Sequence, residues 1–374
     1  MIRDNKIGTL TFHRAINYGA ILQTYALQKS IKVLGYDTEV VDYRSDFLES
    51  LHNPYSLKKY RTPVHFLNAL LKNRIKKDNR KVFREFLRKN INVSSVVYDK
   101  NNLKTAEENY SAFIVGSDQV WNHNCTKFDK TYFLDFVYDA NKKYSYAASI
   151  GVKLESDEVK KEYKRLLNDY KILNVREEQG KNELTALGLN ANVALDPTLL
   201  LDKNAWIKLA KKPSKVDENQ KYLLVYLIVE TPTIFEISKK IAKEHNLKII
   251  YINEMIFNKM GVKNLKCVTP EEWIWLFANA EFIVTNSFHG TAFSVNFEKQ
   301  FLVEPLPVKT NVNSRIYDFL DMLDLSNRIV EHAGISCSNK RISYSDVSIK
   351  EKRQESLNVL KKTLRIIKNN GLEL

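Results

Sequence analysis

Residues 282–291, FIVTNSFHGT, join a short apolar run to a polar turn that contains glycine. A run of this length reads as a buried strand, and residues 292–297 can continue as a helix. Thr285, Asn286, Ser287 and His289 therefore fall at the carboxyl end of a strand, where open α/β sheets bind their ligands. Free amides at the start of the next helix favour an anion, which makes Asn286, Ser287, Gly290 and Thr291 candidate anion ligands. His289 is the candidate catalytic residue, because an imidazole can hydrogen-bond, carry a proton or pair with phosphate near neutral pH. The competing reading of a lone histidine is a structural or solvated one.

Other predicted strand ends offer complementary groups. The run at 112–115 ends in GSDQVWN, which puts the Asp118 carboxylate where a general base or a sugar-hydroxyl acceptor would sit. Trp121 nearby can stack on a sugar or simply pack. Residues 172–175 deliver Arg176, a planar fork for carboxylate or phosphate, with a salt bridge to Glu177 or Glu178 as its plainer use. Arg315, in the first turn of a helix that starts near Asn313, is a second anion ligand if the fold brings it to His289. In the turn after the first strand, Gly19 followed by small Ala20 permits close approach to the backbone. Asn17, Tyr18 and Gly19, with Gln119, Trp121 and Asn122, are the candidate acceptor-binding residues. No carboxylate pair is spaced for Mg²⁺, and the first βαβ unit lacks GxGxxG, so neither a metal nor a dinucleotide cofactor is expected.

The elements that must position these groups alternate strand and helix. Strands are expected at 7–12, 38–43, 112–115, 143–148 and 172–175, with 193–198 closing the first half. A helix runs from the first turn to about Leu34 and another spans 156–169. A polar, proline-containing stretch at 210–220 marks the domain boundary. A second α/β unit follows, with strands at 222–229, 247–252 and 301–303 beside the one leading to His289. The expected domains are 1–210, on the acceptor side, and 211–374, on the donor side, with a terminal helix at 343–370 that can pack across both.

At 374 residues the chain has room for two such domains. Its three cysteines, at 125, 267 and 337, form neither a disulfide framework nor a metal cluster. With no run of 18 apolar residues and no signal peptide, the expected location is cytoplasmic. The net charge of +14 is concentrated between residues 58 and 89, where twelve Lys or Arg face only Asp78 and Glu85. This stretch lies in a basic insertion, 46–98, expected to hold one or two amphipathic helices between His65 and Lys89. Such a surface suits a peripheral contact with an anionic membrane or a lipid-linked acceptor, or a merely solvated helical face. No nucleic-acid motif accompanies the charge, and specific nucleic-acid binding is not expected.

Seven segments, in this order, carry a family likeness: GTLTFHRAINYGAILQTYALQ at 8–28, FIVGSDQVWN at 113–122, SYAASIG at 145–151, NVREEQG at 174–180, VALDPTLLL at 193–201, FIVTNSFHGTAFSV at 282–295 and NSRIYDFLDMLDL at 313–325. Together they resemble the polysaccharide pyruvyl transferase family over about residues 7–330, with the basic insertion least typical. The resemblance implies a GT-B-like fold, two Rossmann-like domains facing a cleft. It also implies transfer of a pyruvyl group from phosphoenolpyruvate to a sugar, giving a cyclic ketal with release of phosphate, with His289 matching the family's catalytic histidine. Many relatives carry Arg where this chain has Phe288, so either Arg176 or Arg315 supplies the missing charge or the donor differs from phosphoenolpyruvate. The rival readings are a nucleotide-sugar glycosyltransferase on the same scaffold and a non-catalytic glycan- or membrane-binding protein.

Overall fold

Short apolar runs flanked by helices have to be buried on both faces, and this is what parallel strands do. In a computed structural model that describes residues 6–51, 63–217, 219–253, 260–262, 264–306, 313–330 and 341–370, they form two parallel sheets. The first holds β1 (Ile7–Leu10), β2 (Thr38–Tyr43), β3 (Val93–Tyr98), β4 (Ala112–Val115) and β5 (Lys143–Ser145) in the order β3-β2-β1-β4-β5. The pair β6 (Leu173–Val175) and β7 (Ala191–Val193) continues this sheet through bridges of Ile172 to Tyr144 and of Val175 to Ala148. The second sheet holds β8 (Tyr222–Tyr226), β9 (Lys248–Ile252), β10 (Asn264–Leu265), β11 (Phe282–Thr285) and β12 (Gln300–Val303) in the order β10-β9-β8-β11-β12.

Both orders are the doubly wound one, which reverses direction between the first and fourth strands and opens a ligand-binding crevice there. In the first sheet that crevice lies after β1 and β4, in register from Ile7↔Ala112 to Leu10↔Val115. In the second it lies after β8 and β11, where Thr285 pairs with Tyr226. The α/β architecture with two Rossmann-like domains is thus as expected.

The basic insertion holds a short helix, Asp46–Ser50, and one long helix, Pro63–Asn90, within the one or two expected; the difference is the edge strand β3 that follows, in which Val96 and Val97 are exposed. Apolar side chains on the solvent face of an edge strand break the alternation by which a strand is recognised. Strand β7 stops at Val193, and residues 197–199 form a 3₁₀ turn capped by Asp196.

The two domains share a continuous apolar core. The helix Tyr18–Val33 contributes Tyr18, Ile21, Leu22 and Ala26, the insertion helix adds Phe83, Phe86 and Leu87, and the second domain brings Trp273, Phe277 and Phe293. The last helix, Ile349–Asn370, starts against the second domain and then returns to cover the first sheet. Arg353 donates to Asn296 Oδ1 at 3.0 Å, while Leu360, Leu364 and Ile367 pack on Ile7, Ala112 and Tyr146. No helix among the described residues is long and apolar enough to cross a membrane.

Candidate active site

Strand β11 ends at Thr285, whose hydroxyl donates to the Tyr226 carbonyl at 2.6 Å and accepts from the Ser287 amide at 3.1 Å. The turn this fixes starts the helix Phe288–Asn296, with Ser287 as its N-cap, Oγ accepting from the Gly290 amide at 3.3 Å. His289 is therefore held in the first turn of a buried helix, with only 6% of its surface exposed. Its ring lies against Gly19, where an added Cβ would fall 2.0 Å from His289 Nδ1. No side chain other than hydrogen fits there, so the close approach accounts for the glycine. The carboxyl ends of the two sheets meet at this contact.

Opposite the other ring nitrogen, Nε2, stands Asp196 Oδ2 at 3.5 Å. Asp196 is fully buried and heavily bonded: Oδ1 accepts from the Thr198 amide at 3.0 Å and hydroxyl at 2.7 Å, and Oδ2 from Ser117 Oγ and Arg176 Nη1, both at 2.9 Å. Burial alone would raise its pKa, but His289, Arg176 and the Thr198 amide hold it well below the ordinary carboxylate value. Asp196 is thus an ionised group within ion-pair range of the imidazole, without a hydrogen bond to it.

Arg176 extends the cluster. Burial opposes its charge, and Asp196, Glu177 and Asp118 together keep its pKa above the ordinary arginine value. Glu177 Oε2 lies 3.6 Å from its Nε and Asp118 Oδ1 lies 3.9 Å from its Nη2. Neither Nε nor Nη2 makes a hydrogen bond, and both are shielded from solvent, as are the unbonded Glu177 Oε2 and His289 Nε2. The Nε/Nη2 edge is the one that grips a carboxylate or phosphate in a bidentate manner. Buried polar atoms without partners are rare because they forfeit their hydration, and several in one cluster point to a ligand that completes them.

Arg176 and Arg315 lie 4.5 and 5.9 Å from the centre of the Phe288 ring. Phe288 thus offers an aromatic face to two guanidinium groups, an attractive arrangement for a cation. Burial and the neighbouring Arg176 lower the Arg315 pKa to about 10.

The structure brings together His289, Asp118, Arg176 and Arg315, and Arg176 stands between Asp118 and the Asp196–His289 pair. Asp118 has φ 70°, and its Oδ1 accepts from the Gln119 amide at 2.8 Å. The other anticipated anion ligands are engaged internally. Asn286 Oδ1 accepts from the Ile228 amide and its Nδ2 donates to the Val229 carbonyl, which ties the β8 and β11 loops together. Thr291 is fully buried, with its hydroxyl on the Ser287 carbonyl, and the Gly290 amide is taken by the Ser287 cap. Asn286, Ser287, Gly290 and Thr291 therefore shape the turn that presents His289.

Among the anticipated acceptor residues, Gly19 meets His289 directly. Asn17 is exposed and caps the helix Tyr18–Val33 by accepting from the Ala20 amide. Gln119 and Asn122 bond to each other at 2.8 Å, and Asn122 also caps the short helix His123–Thr126. Trp121 is a correction: it is fully buried, stacked on Phe133, with its indole donating to the Tyr132 carbonyl, so no face is left for a sugar. Tyr18 is another, being stacked on Trp273 with its hydroxyl donating to Val268 O at 2.7 Å across the domain boundary. Tyr18→Phe is accordingly expected to lower stability by about 1 kcal/mol, the worth of one hydrogen bond, while KM for any sugar acceptor stays unchanged. Urea denaturation beside acceptor kinetics checks both halves.

Asp196 is not singled out by the sequence, whereas Glu177 takes the salt-bridge place expected of it beside Arg176. Asp-Pro-Thr at 196–198 carries a signal, a cap residue before a turn, within the segment that closes the first domain. Asp196→Asn is expected to destabilise the fold by roughly 3–5 kcal/mol, because it breaks a buried ion pair. The folded-state pKa of Asp196 lies below its unfolded value, so its stabilisation is present above about pH 4 and is lost as pH falls toward the folded value. The gap between wild type and variant should narrow in acid, as measured by denaturation at pH 7 and pH 3. Among the described residues no group of three or more His, Cys, Asp or Glu is arranged to hold a metal ion.

A buried histidine and two arginines stand at the meeting of two doubly wound sheets, in a two-domain, Rossmann-like architecture. The sequence profile described as polysaccharide pyruvyl transferase matches residues 17–304, and the chain belongs to that family. It is therefore an enzyme of the polysaccharide-modifying class. Curated proteins give no match. Among solved structures, a UDP-N-acetylglucosamine 2-epimerase described as putative, from Listeria monocytogenes, is similar at a TM-score of 0.50 and 11% identity, over 99% of this chain and 91% of that one. The UDP-GlcNAc 2-epimerase of Methanocaldococcus jannaschii gives 0.48 at 14% identity, over 96% and 99%. The glycosyltransferase SnogD from Streptomyces nogalater gives 0.43 at 7%, over 98% and 100%. At such identities the likeness is one of fold.

Proposed function

We propose that the protein moves the pyruvyl group of phosphoenolpyruvate onto two hydroxyls of a sugar in a glycan or lipid-linked glycan precursor, releasing phosphate. The observation that carries this reading is the buried Arg176, whose Nε/Nη2 edge makes no hydrogen bond though it lies within ion-pair range of Glu177 and Asp118, beside the Asp196–His289 pair and near Arg315, in a chain of this family. Phosphoenolpyruvate bears a carboxylate and a phosphate close together and needs two cationic sites, which Arg176 and Arg315 supply around Phe288. Arginine in place of Phe288 would add a third guanidinium to that cluster, so this chain binds the donor with its two flanking arginines.

His289, oriented by Asp196, donates a proton to the methylene carbon C3, and C2 becomes electron-poor. A sugar hydroxyl adds to C2 while Asp118 accepts its proton. The C2–O bond to phosphate then breaks, phosphate leaves, and a second hydroxyl adds to C2 to close the ketal, passing its proton back to His289. Preorganised charge contributes most at the step where the phosphate departs.

The second reading is a nucleotide-sugar enzyme, favoured by the fold likeness to the UDP-N-acetylglucosamine 2-epimerase described as putative from Listeria monocytogenes. Native mass spectrometry with phosphoenolpyruvate and UDP-N-acetylglucosamine separates the two. Binding of phosphoenolpyruvate that is lost in Arg176→Ala supports transfer of pyruvate. Binding of the nucleotide sugar alone would contradict it.

A further inference from the structure

Most of the positive charge between residues 58 and 89 falls on the helix Pro63–Asn90, and that helix is longer than its place in the fold requires. Its 28 residues span about 42 Å, whereas the strand β3 beside it, six residues long, spans about 20 Å. Only Ile91 and Asn92 separate the last helical residue from β3, so the end of the helix is pinned at the amino edge of the first sheet. The excess length therefore lies at its start, past the carboxyl edge of that sheet, the edge that carries Asp118.

Burial follows from this overshoot. The second half of the helix gives Phe83, Phe86 and Leu87 to the core. From Phe66 to Asp78 only Ala69 is buried, and Phe66, Leu67, Leu70 and Leu71 are each at least 40% exposed. Residues spaced i, i+1, i+4 and i+5 share one side of a helix, so these four make a continuous apolar patch. Further along the same side the exposed residues are charged. Arg74, Lys77, Lys81, Arg84 and Arg88 stand there against Asp78 and Glu85, and none of the five cations makes an ion pair among the described residues. The exposed side thus begins apolar and continues basic, and the core contacts opposite hold both parts outward together.

A partner for such a face must offer apolar material next to negative charge. The boundary of an anionic bilayer does so: Phe and Leu enter among the acyl chains while Lys and Arg stay with the headgroups. A second copy of the chain fits less well. It brings a net charge of +14 to a surface that is already positive. The four apolar side chains also fall far short of the roughly 800 Å² per partner that a stable dimer buries.

We propose that this helix docks the protein on an anionic membrane surface, with Phe66, Leu67, Leu70 and Leu71 entering the lipid and the basic turns after them lying on the headgroups. The carboxyl edge of the first sheet, nearest the patch, is then held close to the lipid. Such docking is independent of the donor and of the reaction.

Flotation of the full-length protein with vesicles of phosphatidylcholine alone, and of phosphatidylcholine mixed with phosphatidylglycerol, tests the docking. Wild type should bind the mixed vesicles only, and more weakly as salt is raised. Leu67→Gln/Leu70→Gln should lower the partition coefficient roughly tenfold or more through lost burial of leucine. Lys77→Gln/Lys81→Gln should lower it about twentyfold, at roughly fivefold per charge. All four positions are exposed, so both variants should melt at the wild-type temperature.

Equal binding to neutral and anionic vesicles, or binding to neither, would overturn the proposal. So would anionic-vesicle binding that either variant keeps in full, since the face needs both its apolar and its basic part. Sedimentation velocity without lipid examines the other occupant: a wild-type dimer that Leu67→Gln/Leu70→Gln turns into a monomer assigns the patch to a second copy instead. Flotation needs no turnover, so its outcome and that of the pyruvyl-transfer assay stand apart.

Discussion

Replacing His289 with alanine is expected to cut turnover by about 10²–10⁴, the usual worth of general acid–base assistance. The loss should fall on kcat. In this account phosphoenolpyruvate is gripped by Arg176 and Arg315, so donor affinity should change little. The ring is buried against Gly19 and Asp196, and its removal leaves a small space at the domain junction, so some stability is lost as well. Single-turnover phosphate release beside donor titration separates the two effects. Unchanged turnover with a verified acceptor would remove His289 from the chemistry, and lost donor binding with normal kcat would make it a binding residue.

Gly19→Ala is the second large effect, and it tests geometry rather than chemistry. The added Cβ would lie 2.0 Å from Nδ1, 2.3 Å from Cγ and 2.6 Å from Cε1 of His289, so the ring or the helix must move. A misplacement of about 1 Å costs on the order of 10²-fold in rate. Helix propensity acts the other way, since alanine exceeds glycine by about 1 kcal/mol in a helix interior. The variant should therefore fold, bind donor and turn over about a hundredfold more slowly. Circular dichroism melting and kcat measured on the same preparation check this. Full activity in Gly19→Ala would mean that the domains part, or that His289 swings away from Gly19, during catalysis.

The sequence revealed strand ends better than side-chain directions. His289, Asp118 and Arg176 come together because each follows an apolar run at a strand's carboxyl end, and doubly wound sheets gather such ends at one edge. Arg176 joins both readings made of it: it pairs with acidic groups, yet two of its nitrogens remain unbonded. Asp196 was not singled out because a carboxylate before Pro-Thr reads equally well as a plain turn cap, and only the fold turns it inward to Ser117, Arg176 and Thr198. Trp121 and Tyr18 stand beside turns, and nothing in their neighbours tells whether an aromatic ring faces the cleft or the core. Their partners, Phe133 in one case and Trp273 in the other, are brought in by tertiary packing. The shared core between domains was invisible for the same reason: Phe83, Leu22 and Trp273 belong to helices whose apolar faces are legible singly but not as a set.

The most direct test follows the donor's carbon. Phosphoenolpyruvate labelled with ¹³C at C2 would be incubated with the enzyme and a polyprenyl-diphosphate sugar bearing two free hydroxyls, and the products read by ¹³C NMR. Transfer predicts that the label moves to a ketal carbon, coupled to sugar protons, in step with the phosphate released. Label that stays in phosphoenolpyruvate or appears only as free pyruvate, while UDP-N-acetylglucosamine is consumed in a parallel tube, would contradict it.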